Sequence, residues 1–421
     1  MPGTFFLFPS MHADYNQGMK KLFTALLCLL CAGCTQPVNT TGRLPDEDIV
    51  MPEHTDDPYT WLNASLDYFL NDGMKLPEYG KDGSPLSWSV VQGDAKIRDG
   101  CICKTEQADE YEPVTICADD GSRAYEFDQL LIDPYVGYVI SYFSEKGDEA
   151  ESMKLAFTYN CTYWFKLNED HAILKAELGT KRLRDPMLFR KKDGTFGAAA
   201  TQGYDTDSIY LFDSPDLITY ENERLLKVSH STDQLKMSEK QAWAPEVFYD
   251  HVSDRYVILW SSVEDGRMFF NTSSDLNHFS APAVLKIGDD PVIDGTIVRS
   301  GHSWMICVKD EREPMEEYSQ LFLGFSDDSW DAYERTSDFI TGHQSEGPMF
   351  MKDLEHDGWY LFYDDYTRYQ FRALHLSDTE NPVITEVQDS DLLIPLDAPA
   401  HSCALPVTWK EMQRLEQAYG S

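Results

Sequence analysis

Five short motifs follow one another through the chain at a near-constant interval: Arg184-Asp185-Pro186, Trp243-Ala244-Pro245-Glu246, Ile293-Asp294-Gly295, Ser345-Glu346-Gly347-Pro348 and Ala400-His401-Ser402. With Asp185, Ala244, Asp294, Glu346 and His401 in one column, the spacings are 59, 50, 52 and 55 residues. Each motif but the last opens the same series. In the second unit an apolar strand (Val247-Phe248-Tyr249) leads to a polar turn (Ser253-Asp254-Arg255). An aromatic-rich strand follows (Tyr256-Val257-Ile258-Leu259-Trp260), then a third strand that ends at Ser273-Ser274-Asp275. Ser and Asp suit that closing turn because their side chains accept hydrogen bonds from the backbone amides just beyond them. Four strands per unit with a period near fifty is the pattern of a propeller blade. The sequence therefore predicts an all-β chain built around a five-bladed β-propeller.

The fifth unit carries a single strand, 403–407, before a helix-like tail. Its missing strands stand upstream, at 138–143, 154–160 and 164–168. The two ends of the propeller then complete one shared blade, which places the start of the propeller at about Tyr135, protects the sheet edges and joins the ring non-covalently. Residues 56–134 fall outside the repeat and read as short alternating strands joined by Gly-, Asp- and Pro-rich turns, the pattern of a small β-sandwich. The stretches around Leu76-Pro77-Glu78, 83–88 and Asp99-Gly100 resemble the bacterial immunoglobulin-like domains that precede some secreted hydrolases.

At the N-terminus, Met19-Lys20-Lys21, the apolar run 22–30 and Ala32-Gly33-Cys34 form an export signal, too short to span a bilayer. The pattern resembles a bacterial lipoprotein signal. It implies a true start at Met19, removal of residues up to 33, a lipidated Cys34 and a linker over 34–55; a plain secretory signal is the alternative. The expected location is the bacterial cell envelope, lipid-anchored, on the periplasmic side or the outer-membrane surface. A net charge of −37 argues against nucleic acid or anionic membrane surfaces as partners. Membrane contact is expected through the lipid anchor alone. No cysteine pair has zinc-ligand spacing with nearby histidines. Cys101 and Cys117 face each other across a hairpin as a disulfide, or stay free thiols.

In a propeller the innermost strands line a central channel, so equivalent positions of different blades converge at one end. Asp185, Asp294 and Glu346 would meet there, and like charges brought together raise one another's pKa. Glycosidases use that arrangement: one carboxyl stays protonated to serve the leaving oxygen, and one carboxylate activates water. The motifs resemble those of glycoside hydrolase family 43, whose members are five-bladed propellers, over roughly two-thirds of the chain. The resemblance implies Asp185 as general base, Asp294 as the residue that tunes and orients the acid, and Glu346 as general acid of an inverting hydrolase. Trp243 is the matching candidate for a sugar-stacking aromatic, with Arg372 and Tyr366 as further substrate contacts. His401 is a candidate ligand for a calcium or other ion in the channel; no cofactor is required otherwise.

The implied substrate is an oligosaccharide or polysaccharide side chain, with an exo-α-L-arabinofuranosidase first and a β-xylosidase or other family 43 specificity as alternatives. A retaining fructan hydrolase shares the scaffold, but its Asn-Asp-Pro-Asn and Glu-Cys motifs are absent. From another class, a non-catalytic glycan-binding lipoprotein on the same scaffold remains the rival reading.

Overall fold

Every recurring motif opens the innermost strand of a four-stranded antiparallel sheet. The computed structural model describes residues 46–52, 57–288, 291–315, 317–327 and 329–420. The export signal and most of the linker lie outside them. Blade 1 comprises Arg184–Arg190, Phe196–Thr201, Ser208–Ser214 and Glu221–Lys227, and blade 2 comprises Trp243–Asp250, Arg255–Ser262, Arg267–Ser273 and Ala283–Val284. Blade 3 is Val292–Ser300, Ser303–Asp310, Leu321–Ser326 and Arg335–Thr336; blade 4 is Ser345–Lys352, Trp359–Asp365, Gln370–Leu376 and Ile384–Glu386. Blade 5 joins the two ends of the propeller. Pro399–Thr408 pairs antiparallel with Tyr135–Ser144, followed outward by Lys154–Thr158 and Trp164–Lys166. The innermost strands neighbour one another in order, and that of blade 5 returns to that of blade 1.

The turns expected from Ser and Asp form as chemistry dictates. Ser214 Oγ accepts from Leu217 N at 2.9 Å and Ser273 Oγ from Leu276 N at 2.7 Å, while Ser326 Oγ accepts from Ser329 N at 3.2 Å. Between blades, apolar side chains pack face to face in five clusters, one per seam. Successive residues of one strand feed opposite seams. Ile258 and Trp260 pack toward blade 1, whereas Val257 and Leu259 pack toward blade 3. Both faces of each sheet are therefore buried, which is why the second strands read as continuous apolar runs rather than alternating ones.

Residues 57–132 form two layers beside the propeller. One is a four-stranded sheet of Phe69–Asn71, Ala124–Ile132, Tyr111–Asp119 and Ser87–Gln92 in that order, its first pair parallel. The other is Ala95–Arg98 paired with Cys101–Lys104, to which the stretch 73–76 adds through the bridge Lys75↔Cys101. Leu70, Ile102, Val114, Ile116 and Phe127 share the core between them with Leu62 of a short helix, Pro58–Ala64. Cys101 and Cys117 lie in different layers and are free thiols, as are the other described cysteines.

The C-terminal helix Trp409–Tyr419 starts on a capping box, Thr408 with Glu411. Glu411 also holds Arg190 of blade 1 at 2.6 Å, both side chains almost fully buried, and accepts from Tyr111 Oη at 2.5 Å. The helix thus fastens the sandwich, blade 1 and the closing strand together.

Candidate active site

In all five blades the pairing of the first strand with the second skips at the same place. The breaks fall between Arg184 and Met187, Trp243 and Glu246, Ile293 and Thr296, Glu346 and Met349, and Ala400 and Cys403. Such a bulge bends the strand and re-aims its side chains. One residue in each bulge has a left-handed backbone: Asp185 (φ 45°), Ala244 (46°), Asp294 (52°), Gly347 (54°) and His401 (31°). The column expected from the sequence therefore holds in four blades and slips by one residue in blade 4. Glu346 is the equivalent of Arg184, Trp243, Ile293 and Ala400. Aligning acid with acid concealed this, because the feature that repeats is the backbone, and Gly347 supplies it in blade 4. Glycine is needed there for a second reason: a Cβ on Gly347 would stand 3.0 Å from His401 Cγ and 3.1 Å from His401 Cα.

Residues from all five bulges line one pocket of about 420 Å³ at the end of the channel, where Asp185, Asp294, Glu346, His401, Trp243 and Tyr366 come together. Two residues further along each strand, Met187, Glu246, Thr296, Met349 and Cys403 line a second cavity deeper in the channel. There Glu246 accepts from Ile297 N at 3.2 Å, and burial pushes its carboxyl up to about 7.

The three acids of the pocket have different surroundings. Asp185 Oδ2 accepts from Thr201 Oγ1 at 2.6 Å, and Oδ1 lies 3.7 Å from His401 Nδ1. The Asp294 carboxyl is buried, and its backbone N–H donates to Ser261 Oγ at 3.0 Å. Burial pushes Asp294 up to about 6; His401 and Lys309 pull against it, and the charges of Glu346 and Asp185 reinforce it. Glu346, part-exposed, accepts at Oε2 from Lys309 Nζ at 3.0 Å. Lys309 is itself buried and lies 3.0 Å from Glu311 Oε2. Directly opposite Glu346 in the ladder stands Asp364, 1% exposed. Its Oδ2 accepts from His401 N at 3.4 Å, while Oδ1 has no partner among the described residues. Burial first, then the charge of Glu346, pushes the Asp364 carboxyl up to about 8.

Of the expected substrate contacts, Trp243 is a half-buried wall of the pocket, fixed by its Nε1 donating to Tyr204 O at 2.7 Å. Tyr366 also lines the pocket, its hydroxyl 3.2 Å from Ser319 Oγ. Arg372 does not reach the pocket. It sits on the third strand of blade 4, two strands out from the channel, with Nη2 2.8 Å from Glu386 Oε1 on the outermost strand. His401 faces Asp185; among the described residues the one group of three closely spaced metal-ligating side chains is Glu47, Asp275 and His278, elsewhere on the surface.

Sequence reasoning missed Lys309, Asp364, Thr201 and Tyr204. The first three hold one structural position, the second-strand residue opposite the bulge, in different blades. Strand register, counted back from each hairpin turn, is the signal that locates them. Tyr204 follows the second strand of blade 1, meets Trp243 edge-on at 5.9 Å and carries the Arg184 guanidinium 4.8 Å from its ring centre. Arg184 is anchored in turn by Glu145 at 2.8 Å.

Residues 133–413, which take in all five blades, match a family 43-related model described as a probable glycosyl hydrolase domain. No curated protein matches the chain. Among solved structures, an endo-1,4-β-xylanase from Bacteroides thetaiotaomicron is 16% identical over 49% of this chain and 73% of its own, with a TM-score of 0.38. A xylan β-1,4-xylosidase from Bacillus halodurans is 11% identical over 65% of this chain and 56% of its own, with a TM-score of 0.43. An exo-β-1,3-galactanase from Phanerochaete chrysosporium is 11% identical over 51% and 49%, with a TM-score of 0.36. The chain spans about half the length of the last two. Since the family match covers well over half of the sequence, the chain belongs to the family 43-related glycosyl hydrolases.

Proposed function

We propose that the protein is an inverting glycoside hydrolase that releases terminal sugars from oligosaccharide or polysaccharide side chains, with α-L-arabinofuranosides as first substrates and β-xylosides as the runner-up. The observation that carries the reading is the convergence of Asp185, Asp294 and Glu346 in one pocket with three distinct environments. Separating the surroundings of neighbouring carboxyls is how a site assigns acid and base roles at one pH. In this reading Glu346 gives its proton to the glycosidic oxygen as the bond to the anomeric carbon breaks. Asp185, held by Thr201, takes a proton from the water that attacks the opposite face. Asp294, buried beside them, keeps the pair in its working protonation state. Trp243 and Tyr366 form walls for the sugar. The scheme requires no cofactor. A channel ion near His401 is a separate element of the proposal, tested by whether chelation changes stability or rate.

Hydrolysis of aryl α-L-arabinofuranosides and aryl β-xylosides by the wild type, Glu346→Gln and Asp185→Asn tests the roles. Losses of about 10²–10⁴-fold in each variant are expected for general acid and base groups. NMR of the first-formed anomer tests the stereochemistry, and a retained anomer overturns the inverting assignment. The envelope location belongs to the same proposal: fatty-acid labelling of the exported protein should vanish in Cys34→Ser.

A further inference from the structure

The second-strand residue opposite the bulge has a repeated task. In blades 1, 2 and 4 its side chain accepts the N–H of the bulge residue in the next blade: Ala244 N donates to Thr201 Oγ1 at 2.8 Å, Asp294 N to Ser261 Oγ at 3.0 Å and His401 N to Asp364 Oδ2 at 3.4 Å. These bonds join blade to blade around the pocket rim. Lys309 holds the same place in blade 3, opposite Ile293. An ammonium has three donors and no acceptor, so it cannot take the N–H of Gly347. It is also costly to bury unless paired, yet Lys309 is 2% exposed. Its nitrogen lies 3.0 Å from Glu346 Oε2 and 3.0 Å from Glu311 Oε2. Blade 3 has exchanged one inter-blade bond for a positive charge beside Glu346.

Among the described residues Glu346 accepts a hydrogen bond at Oε2 alone. An oxygen already accepting from an ammonium is a poor place for a proton, so a protonated Glu346 carries its hydrogen on Oε1. We propose that Lys309 is a positioning residue for the acid step: it fixes Oε2 of Glu346, so that Oε1 presents the proton to the leaving oxygen, and it stabilises the carboxylate left behind. This rests on the reading of Glu346 as general acid. In the step, the Oε1–H bond breaks as the proton passes to the glycosidic oxygen. The electron pair of the bond to the anomeric carbon goes to that same oxygen. Glu346 becomes a carboxylate whose new charge develops against a fixed cation; Lys309 itself neither gives nor takes a proton.

Besides Lys309, the charged groups that face the Glu346 carboxyl are Asp364 across the ladder and Asp294 and Asp185 in the pocket. Glu311 shares the Lys309 charge, and His401 packs against Gly347. Burial works against the ammonium of Lys309, but Glu346, Asp294 and Glu311 outweigh it and hold Lys309 charged well above the ordinary lysine range.

The test reads Glu346 directly. Difference infrared spectra of the carboxyl band, wild type minus Glu346→Gln and Lys309→Met minus the double variant, give the Glu346 titration midpoint independently of any sugar. Removing an adjacent opposite charge should raise that midpoint by about 1–3 pH units; a midpoint that stays or falls overturns the proposal. Kinetics supplies the second readout. Against phenyl and dinitrophenyl glycosides of one sugar, Lys309→Met should slow the phenyl substrate at least about tenfold and the dinitrophenyl substrate, which needs no acid, within about twofold. Its alkaline limb on the phenyl substrate should move upward with the midpoint. Lys309→Gln, a donor without the charge, should raise the midpoint yet keep more of the phenyl rate. Equal slowing on both substrates overturns the positioning role. Glu346→Gln as fast as wild type on the phenyl glycoside removes the acid reading and this proposal with it. A normal Glu346→Gln loss with an unmoved midpoint removes this proposal alone.

Discussion

Gly347→Ala tests the one-residue slip in blade 4. The backbone at Gly347 is left-handed, φ 54°, where a side chain costs about 1–2 kcal/mol. That cost is bearable, because Ala244 occupies the same position in blade 2 at φ 46°. The larger part comes from His401. The new Cβ would stand 3.0 Å from Cγ, 3.1 Å from Cα and 3.2 Å from Nδ1 of that residue. The His401 backbone has little freedom to retreat, with its N–H on Asp364 and Ala400 paired with Phe143. Forcing a methyl into such a contact costs about 1–3 kcal/mol, so the total is about 2–5 kcal/mol. His401 and Glu346 should shift together as the contact relaxes, and for Glu346 in its proposed role a displacement of about 1 Å is worth about 10²-fold in rate. Urea denaturation followed by tryptophan fluorescence, with kcat/KM on an aryl glycoside, should show both losses. Adding His401→Ala removes the Cγ and Nδ1 contacts but keeps the Cα one, so it should restore part of the steric loss and leave the backbone part. A Gly347→Ala protein as stable and active as wild type refutes the bulge equivalence, and so does a double variant that recovers nothing.

Two further outcomes follow from the buried charges. Asp364 has its carboxyl raised to about 8, so the folded state binds its proton more tightly than the unfolded chain does. The sign is then fixed: this contribution to stability is present below pH about 4 and is lost as pH rises toward 8. Asp364→Asn should be more stable relative to wild type at pH 8 than at pH 5 in urea denaturation; the reverse order is inconsistent with a raised carboxyl. Glu411→Gln can keep the helix cap yet leaves Arg190 buried without its countercharge. It should cost about 3–5 kcal/mol and be nearly insensitive to added salt, since the pair is shielded from solvent.

The architecture was readable because a propeller repeats its local chemistry. Asp-Pro, Ala-Pro, Asp-Gly, Gly-Pro and His-Ser all mark bulges, and Ser214, Ser273 and Ser326 close the same turn in three blades. What escaped is what the repeat does not constrain. Thr201, Ser261, Lys309 and Asp364 share a place but range from hydroxyl to ammonium to carboxyl, so no motif exposes them; only register does. The position of Glu346 was misjudged by one because carboxylates were aligned where the backbone turn is the invariant. Arg372, expected as a substrate contact, belongs to the same blade as Glu346 but not to its inner strands. On the third strand, opposite Tyr363, it is two strands removed from the channel.

Closure through blade 5 also sets when the pocket is complete. His401 lies on the strand Pro399–Thr408, whose partner Tyr135–Ser144 is made some 255 residues earlier. Contacts so distant along a chain form late and slowly, because loop-closure entropy must be met before they contribute. The strand that seals the ring is the one that brings the last side chain to Asp185. A chain released before Pro399 has an unpaired inner edge at Tyr135–Ser144 and no His401 in its pocket. An incomplete molecule is thus unsealed, and its pocket lacks the side chain that faces Asp185.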